Sequence, residues 1–151
     1  MSQLVVREAT EADLPGVLRV YAQPELDDGR VLDLDRARAQ LRRIHDHPGY
    51  QVYIAECDGQ VLGTFALLIM PNISHQGAPA GVVDQVGVLP EYQGQGVGRR
   101  MMDHARLLCE RAGCYKLMLS SNLKRDAAHK FYASLGFEKH GYSFKVELPG
   151  H

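Results

Sequence analysis

Cysteine is scarce in this chain. Cys57, Cys109 and Cys114 are three in 151 residues, an odd number with no metal-ligand spacing, so neither a disulfide framework nor a cysteine-held metal is expected. The N-terminal stretch MSQLVVREATEAD lacks the basic-then-apolar order of an export signal, and with the free thiols this points to a reducing, cytoplasmic setting. An excess of one charge is also missing. The 17 Lys and Arg against 18 Asp and Glu give a formal net charge of -1, which leaves no global basic field for broad nucleic-acid binding, so any anionic partner must be held locally. Long hydrophobic runs are absent too: FALLIM, from Phe65 to Met70, is far too short to cross a bilayer, and no membrane segment is expected. No repeat, low-complexity tract or linker divides the chain. With 45% hydrophobic and 23% charged residues, one globular domain over residues 1–151 is expected.

The order of apolar residues supplies the elements. Leu4, Val5 and Val6 read as a short strand, and Thr10 with Asp13 forms a capping-box pattern ahead of Leu14, Val17, Leu18 and Tyr21 at helical spacing. Leu34, Ala37, Leu41 and Ile44 repeat that spacing until Pro48 and Gly49 stop it. Two apolar runs, QVYIAEC and QVLGTFALLIM, flank Asp58-Gly59, a strong signal for an antiparallel hairpin. After a polar loop, GVVDQVGV reads as a strand. A helix then runs from about Gly98 to Ala112 with Val97, Met101, Ala105, Leu108 and Ala112 on its buried face and Gly113 as its stop. YKLMLSS reads as a strand, DAAHKFYASLGF as a helix ended by Gly136, and SFKVEL as a last strand with Phe144, Val146 and Leu148 turned inward. Hairpins combined with one strand-helix-strand crossover make a single α/β (α+β) domain, a mixed and mostly antiparallel sheet flanked by helices.

The stretch VLPEYQGQGVGRRMMDHA sets Gly94, Gly96 and Gly98 between a strand and a helix. Fixing glycines costs conformational entropy, so three in a row of alternate positions need a reason. A helix start presents unpaired N–H groups and a partial positive charge, and a junction stripped of side chains lets those donors approach a phosphate. Other phosphate motifs do not fit: no Lys-Ser/Thr follows, and the spacing is not that of a dinucleotide fingerprint. A tightly turned loop with no ligand remains the bland alternative.

The segment VVDQVGVLPEYQGQGVGRRMMDHA resembles the central motif of the GCN5-related N-acetyltransferases (GNAT), whose pattern Q/R-x-x-G-x-G/A is met by Gln93, Gly96 and Gly98. The likeness continues through YKLMLSSN and AHKFYASLGF and more loosely to VREATEADL. It implies the acyl-CoA N-acyltransferase fold with splayed central strands, and acetyl-CoA as co-substrate. It implies that Gln93, Gly94, Gln95, Gly96, Val97, Gly98 and Arg99 cradle the pyrophosphate, that Val86, Gly87 and Val88 pair with the pantetheine arm, and that Asn122 contacts the cofactor. An amide at or near Val88 would then polarise the thioester carbonyl. The family habit also implies a homodimer, to which the apolar last strand would contribute an edge.

Acetyl transfer needs a neutral amine, and a lysine-like amine lies about three pKa units, roughly 4 kcal/mol, uphill at neutral pH. The resemblance gives Asp84 the role of base through water and Tyr132 that of proton donor to the leaving thiolate. On spacing alone, Asp84 is equally a strand-end carboxylate and Tyr132 a core or rim aromatic beside Phe131 and Leu135. Glu56 and Glu91 have weaker claims, and Arg99 is the best placed of the basic residues Arg99, Arg100, Lys124 and Arg125 to meet a phosphate. Of seven histidines, His45 and His47 are the close pair, better suited to capping carbonyls near a helix end than to zinc; no metal is expected. His75 could line an acceptor pocket or do nothing specific. The acceptor, expected to be a small-molecule amine, would be shaped by residues 21–46 and 71–79. The tail from Leu119 to Leu148 is similar to that of aminoalkylphosphonate acetyltransferases. A protein amine as acceptor, or a non-catalytic CoA-sensing module, remains the alternative.

Overall fold

The computed structural model describes residues 3–121 and 125–151, which form two compact units, 1–119 and 120–151. In the first unit the strands β1 (Val5–Glu8), β2 (Tyr50–Cys57), β3 (Gln60–Met70), β4 (Ala80–Val88) and β5 (Lys116–Leu119) stand side by side in chain order. All neighbours are antiparallel except β4 and β5. That parallel pair is joined by α3 (Val97–Arg111), the one crossover the sequence calls for. The expected mixed, mostly antiparallel sheet flanked by helices is what forms.

Local signals place most boundaries. Asp58 and Gly59 both take positive φ, 51° and 79°, so the β2–β3 turn twists with its strands. Asp13 ends the 3-10 turn ahead of α1 (Leu14–Tyr21), and its carboxylate accepts from the Thr10 amide at 2.8 Å. The same carboxylate takes two bonds from the Arg7 guanidinium, at 2.8 and 2.9 Å, which tie the start of α1 to β1. Arg7 is thereby an unforeseen structural anchor. α2 (Leu34–His45) is capped by Asp33, whose carboxylate accepts from the Arg36 amide.

Helices α1 and α2 cover one sheet face through Val17, Val20, Ala37 and Leu41 packed on Val52, Ile54 and Val61. Helix α3 covers the other. Its buried face is Val97, Met101, Met102, Ala105 and Cys109. The expected Leu108 and Ala112 lie off that stripe, half-buried and exposed, because the helix rotates to bring Cys109 down onto Gly81, where a side chain would run into the sulfur. Gly113, at φ 78°, ends α3 as expected.

In the second unit α4 (Asp126–Ser134) ends at Gly136, at φ 91°, as the sequence indicates. The expected last strand is overturned: no strand includes SFKVEL, and Phe144, Val146 and Leu148 are exposed rather than inward. Alternation alone cannot hold a strand, since its backbone donors and apolar face both need a neighbour.

Candidate active site

β4 carries Asp84, Val86, Gly87 and Val88 of the expected site, and an irregularity in the middle of it decides what each residue faces. Ala66 pairs with Asp84, but Thr64 pairs with Gly87, so two residues of β4, Gln85 and Val86, oppose the single residue Phe65. Gln85 takes φ 54°, the left-handed region. One extra residue reverses the faces. Gly81 lies against Cys109 of α3, whereas Gly87, six positions on, lies against Val20 of α1 and Leu26 beyond it, where a Cβ would come within 2.8 Å and 3.1 Å. Glycine is needed at 87 for room, not for φ.

Beyond the bulge β4 loses a neighbour. β5 pairs with Ala80 to Val83 and ends at Leu119, so no strand among the described residues flanks Asp84–Val88 on that side. The Leu89 amide donates to the Leu62 carbonyl at 2.8 Å. Antiparallel alternation then turns the N–H and C=O of Val88 away from β3, toward the side β5 has left. The splay expected from the family likeness is therefore present. The Val88 carbonyl is not idle, because it accepts from the Gln23 side-chain amide at 2.9 Å and from that of Gln93 at 3.3 Å. Buried Gln23 also donates to the Val20 carbonyl, which fixes it at the end of α1. With its carbonyl doubly engaged and its N–H directed outward, Val88 offers a polarised donor.

The glycine loop answers to the same accounting. A 3-10 turn over Pro90–Tyr92 leads into it. Gly94 and Gly96 adopt φ 78° and 90°, and a Cβ on either would meet nothing within 4 Å. Backbone conformation, with open space beside it, is what these two positions require. Gln95 folds back so that its side-chain amide donates to the Glu91 carbonyl at 3.0 Å, as Gln93 does to Val88. Both glutamines brace the loop from within. Gly96 is the N-cap of α3 and offers no side-chain cap, no acidic residue occupies the first turn, and Arg99 and Arg100 stand there instead. The first backbone bond into the helix is from Arg100 to the Gly96 carbonyl, at 3.1 Å. A positive helix end with basic side chains and no counter-charge is an arrangement that an anion relieves. Arg100 is partly committed elsewhere, donating to the Leu4 carbonyl at 2.8 Å, while Arg99 is exposed.

Asp84 is exposed, and its carboxylate accepts from the Gln85 amide at 2.9 Å, across the bulge. The Tyr21 hydroxyl donates to the Gln85 carbonyl at 2.9 Å, so α1 also clips the bulge. Burial raises the Tyr21 phenol above its ordinary value, with Tyr50 and Asp84 adding to the rise; Tyr50 is raised by burial and by Asp84. Both phenols are therefore held in the neutral form. The sequence marks Tyr21 as an apolar helix position and as the start of the segment 21–46, but gives neither its bond to β4 nor that of Gln23, because both act across more than sixty residues of chain.

Tyr132 sits on α4 in the second unit. It is half-buried between Phe131 and Phe137, with ring centroids at 5.2 and 5.9 Å, and burial raises its phenol despite the opposing charge of Arg125. It stays protonated, the form a proton donor needs. Asn122 and Lys124 lie outside the described residues. His75 stacks on Tyr115 at 3.9 Å between centroids, Glu56 pairs with Arg7, and His47 lies 3.4 Å from the Pro48 carbonyl. Among the described residues no three His, Cys, Asp or Glu side chains gather where they could hold a metal ion.

Residues 48–139, more than half of the chain, match the family model of the acetyltransferase (GNAT) domain. The chain belongs to the GNAT family. That family uses acetyl-CoA as co-substrate. A solved GNAT-fold structure, a putative acetyltransferase from Agrobacterium tumefaciens, superposes with a TM-score of 0.88 at 31% identity, over 95% of this chain and 99% of that one. Among curated relatives, a glucosamine 6-phosphate N-acetyltransferase from Trypanosoma brucei brucei is 30% identical over 98 residues, 65% of each chain. An aminoalkylphosphonate N-acetyltransferase from Salmonella typhimurium is 29% identical over 101 residues, 67% of this chain and 65% of the relative. The match thus spans about two-thirds of these relatives' length. No helix among the described residues is long and apolar enough to cross a membrane.

Proposed function

We propose that this GNAT chain is an N-acetyltransferase, one domain over residues 1–151, that moves an acetyl group from acetyl-CoA to a primary amine by direct attack. The observation that carries the reading is the uncapped start of α3, with open space at Gly94 and Gly96 and Arg99 and Arg100 in the first turn. These residues fit a pyrophosphate by charge, by donor supply and by the absence of side chains. Gln93 to Arg99 would hold it, and Asn122 would add a contact. Val86, Gly87 and Val88 would pair with the pantetheine amides along the edge β5 leaves open, since exposed strand donors take an extended amide-bearing ligand readily.

The outward N–H of Val88 stabilises the negative charge that grows on the thioester oxygen as nitrogen attacks. Asp84 accepts the amine proton through water, and Tyr132 donates to the departing thiolate. Each C–S bond broken is matched by one C–N bond formed, and the proton lost by nitrogen equals that gained by sulfur. None of the three cysteines lies in a motif that suggests a nucleophile, and Cys109 is buried on the inner face of α3, where burial beside Cys114 pushes its thiol up to about 12. The relatives' names, glucosamine 6-phosphate and aminoalkylphosphonate N-acetyltransferase, support a small-molecule amine as acceptor. A metal-free, cytoplasmic homodimer without a nucleic-acid partner completes the reading.

Thiol release from acetyl-CoA across a panel of small amines tests it, with coenzyme A binding measured by calorimetry. Release with at least one amine is expected, and Tyr132→Phe should lower kcat about 100-fold while leaving the coenzyme A Kd within about twofold. Tight binding with no release for any acceptor would replace the enzyme with a sensor.

A further inference from the structure

The end of α3 brings two thiols together. Gly113, at φ 78°, turns the chain so that its own amide donates to the Glu110 carbonyl at 3.1 Å and the Cys114 amide donates to the Cys109 carbonyl at 2.9 Å. This double closure sets the residue after the glycine over the last turn of the helix, where its side chain meets that of the residue whose carbonyl it holds. Here both residues are cysteine, and both are free thiols. The main-chain bond also limits their separation. A Cα lies about 2.4 Å from its own carbonyl oxygen and about 1.5 Å from its own nitrogen, so a 2.9 Å bond keeps the two Cα atoms within about 6.8 Å even when straight. Disulfides span Cα separations of about 4.4–6.8 Å. Cys109 is buried against Gly81 of β4, with Leu117 of β5 beside it, while Cys114 is half-buried. Burial first, then the charge of Cys114 and a hydrogen bond between the two thiols, raise that of Cys109.

We propose that Cys109 and Cys114 are a redox-modifiable pair, which a low-molecular-weight disulfide oxidises to an intramolecular disulfide stapling the end of α3 to the chain that enters β5. Cys114 reacts first, because solvent reaches it and not its neighbour. Its thiol gives up a proton, its sulfur attacks one sulfur of the oxidant, and the S–S bond of the oxidant breaks to release one small thiol. The Cys109 sulfur then displaces the second small thiolate from Cys114, and the Cys109 proton passes to that leaving group. Two protein thiols have lost two electrons and two protons, and the oxidant has become two small thiols. The second step is intramolecular, and the main-chain closure has already set its geometry, which offsets the reluctance of a buried thiol to ionise. Only side-chain torsions have to turn. In a reducing setting the pair rests as the dithiol, and the disulfide keeps Cys114 off the irreversible steps of sulfur oxidation. The pair stands at the opposite end of α3 from the glycine loop, so it does not depend on the acetyl transfer proposed above.

Peptide mapping of the full chain tests it. The native protein is equilibrated with glutathione disulfide, quenched in acid, alkylated in urea and digested without reduction. Trypsin cuts after Arg111, between the two cysteines, so the bond appears in mass spectrometry as two peptides held together. That linked species is expected in the wild type, with full reversal by dithiothreitol. In Cys57→Ser, which removes the remaining thiol, the oxidised protein should melt about 5 °C above the reduced one, since closing a loop takes entropy from the unfolded chain. Cys114→Ser should lose the linked species. Cys109 and Cys114 both alkylated after native exposure, a link that runs to Cys57 instead, or an oxidised form that melts no higher than the reduced one overturns the pair.

Discussion

The loop from Gln93 to Gly98 and the arm from Tyr142 to Leu148 are both segments outside the sheet, yet they hold opposite relations to their own sequences. In the loop the residue types dictate the conformation directly: Gly94 and Gly96 take φ values that other residues resist, and Gln93 and Gln95 hydrogen-bond carbonyls four or five positions back. In the arm the residue types state a preference that the chain by itself does not meet, and Phe144 stands 91% exposed. Conformation written in backbone sterics needs no partner. Conformation written in apolar alternation needs a surface, and the surface has to come from somewhere.

The sharpest break in that contrast would come at Gly96. Gly96→Val forces a β-branched residue to φ 90° at the N-cap of α3, so coenzyme A affinity should fall about 100-fold or more in calorimetry. The cost in urea stability should be only about 1–2 kcal/mol, because no packed neighbour is displaced. A substitution with unchanged affinity would remove the loop from the site.

Next in size is Gln23, which tests how far the site depends on distant side chains rather than on local backbone. Gln23→Leu keeps the volume but strips donors from the Val20 and Val88 carbonyls. A fall in kcat/KM of about tenfold is expected, with a loss of about 1–3 kcal/mol in urea unfolding, since the Val20 carbonyl loses this donor and the Val88 carbonyl keeps only that of Gln93. Equal activity with the same loss of stability would show that Gln23 supports the fold alone.

The smallest effect is expected at the Arg7–Asp13 clamp, a local device like the loop but one written in charge. The hydrogen bonds from Arg7 hold the Asp13 carboxyl below its ordinary value of 3.8, so the folded protein keeps it ionised at a pH where the unfolded chain has protonated it. Its contribution is complete above about pH 4 and drains away as pH falls through the lower folded value. Asp13→Asn should cost about 1–2 kcal/mol near pH 7, with the gap to wild type narrowing in pH-dependent urea titrations as pH falls below the ordinary carboxyl value.

These cases show which parts of the molecule could be read beforehand. The Asp58-Gly59 turn, the stop of α4 at Gly136 and the glycine-rich entry to α3 each depend on a few adjacent residues with a single steric solution. Asp84, Tyr132 and the loop residues were nameable from motif likeness, and their surroundings are now explicit. The bulge was not legible, because Gln85 at φ 54° carries no glycine or asparagine to advertise it. Nor were Tyr21 and Gln23, whose bonds to Gln85 and Val88 follow from how α1 lies on the sheet. The rotation of α3 toward Cys109 reflects packing against Gly81, which the helical period cannot resolve to one residue.

Beneath Val86 to Val88 three elements approach as closely as backbone allows. A side chain at Gly63 would meet the Gly87 carbonyl and the Met101 sulfur, each at 3.0 Å, and one at Gly87 would strike Val20. The packing beneath these residues therefore has no spare volume for new side chains at Gly63 or Gly87. Anyone seeking to retool this scaffold for a different acceptor would find that ground closed to redesign. Under the proposed acetyl transfer, changes in selectivity would have to be sought in residues 21–46 and 71–79, away from that backbone crossing.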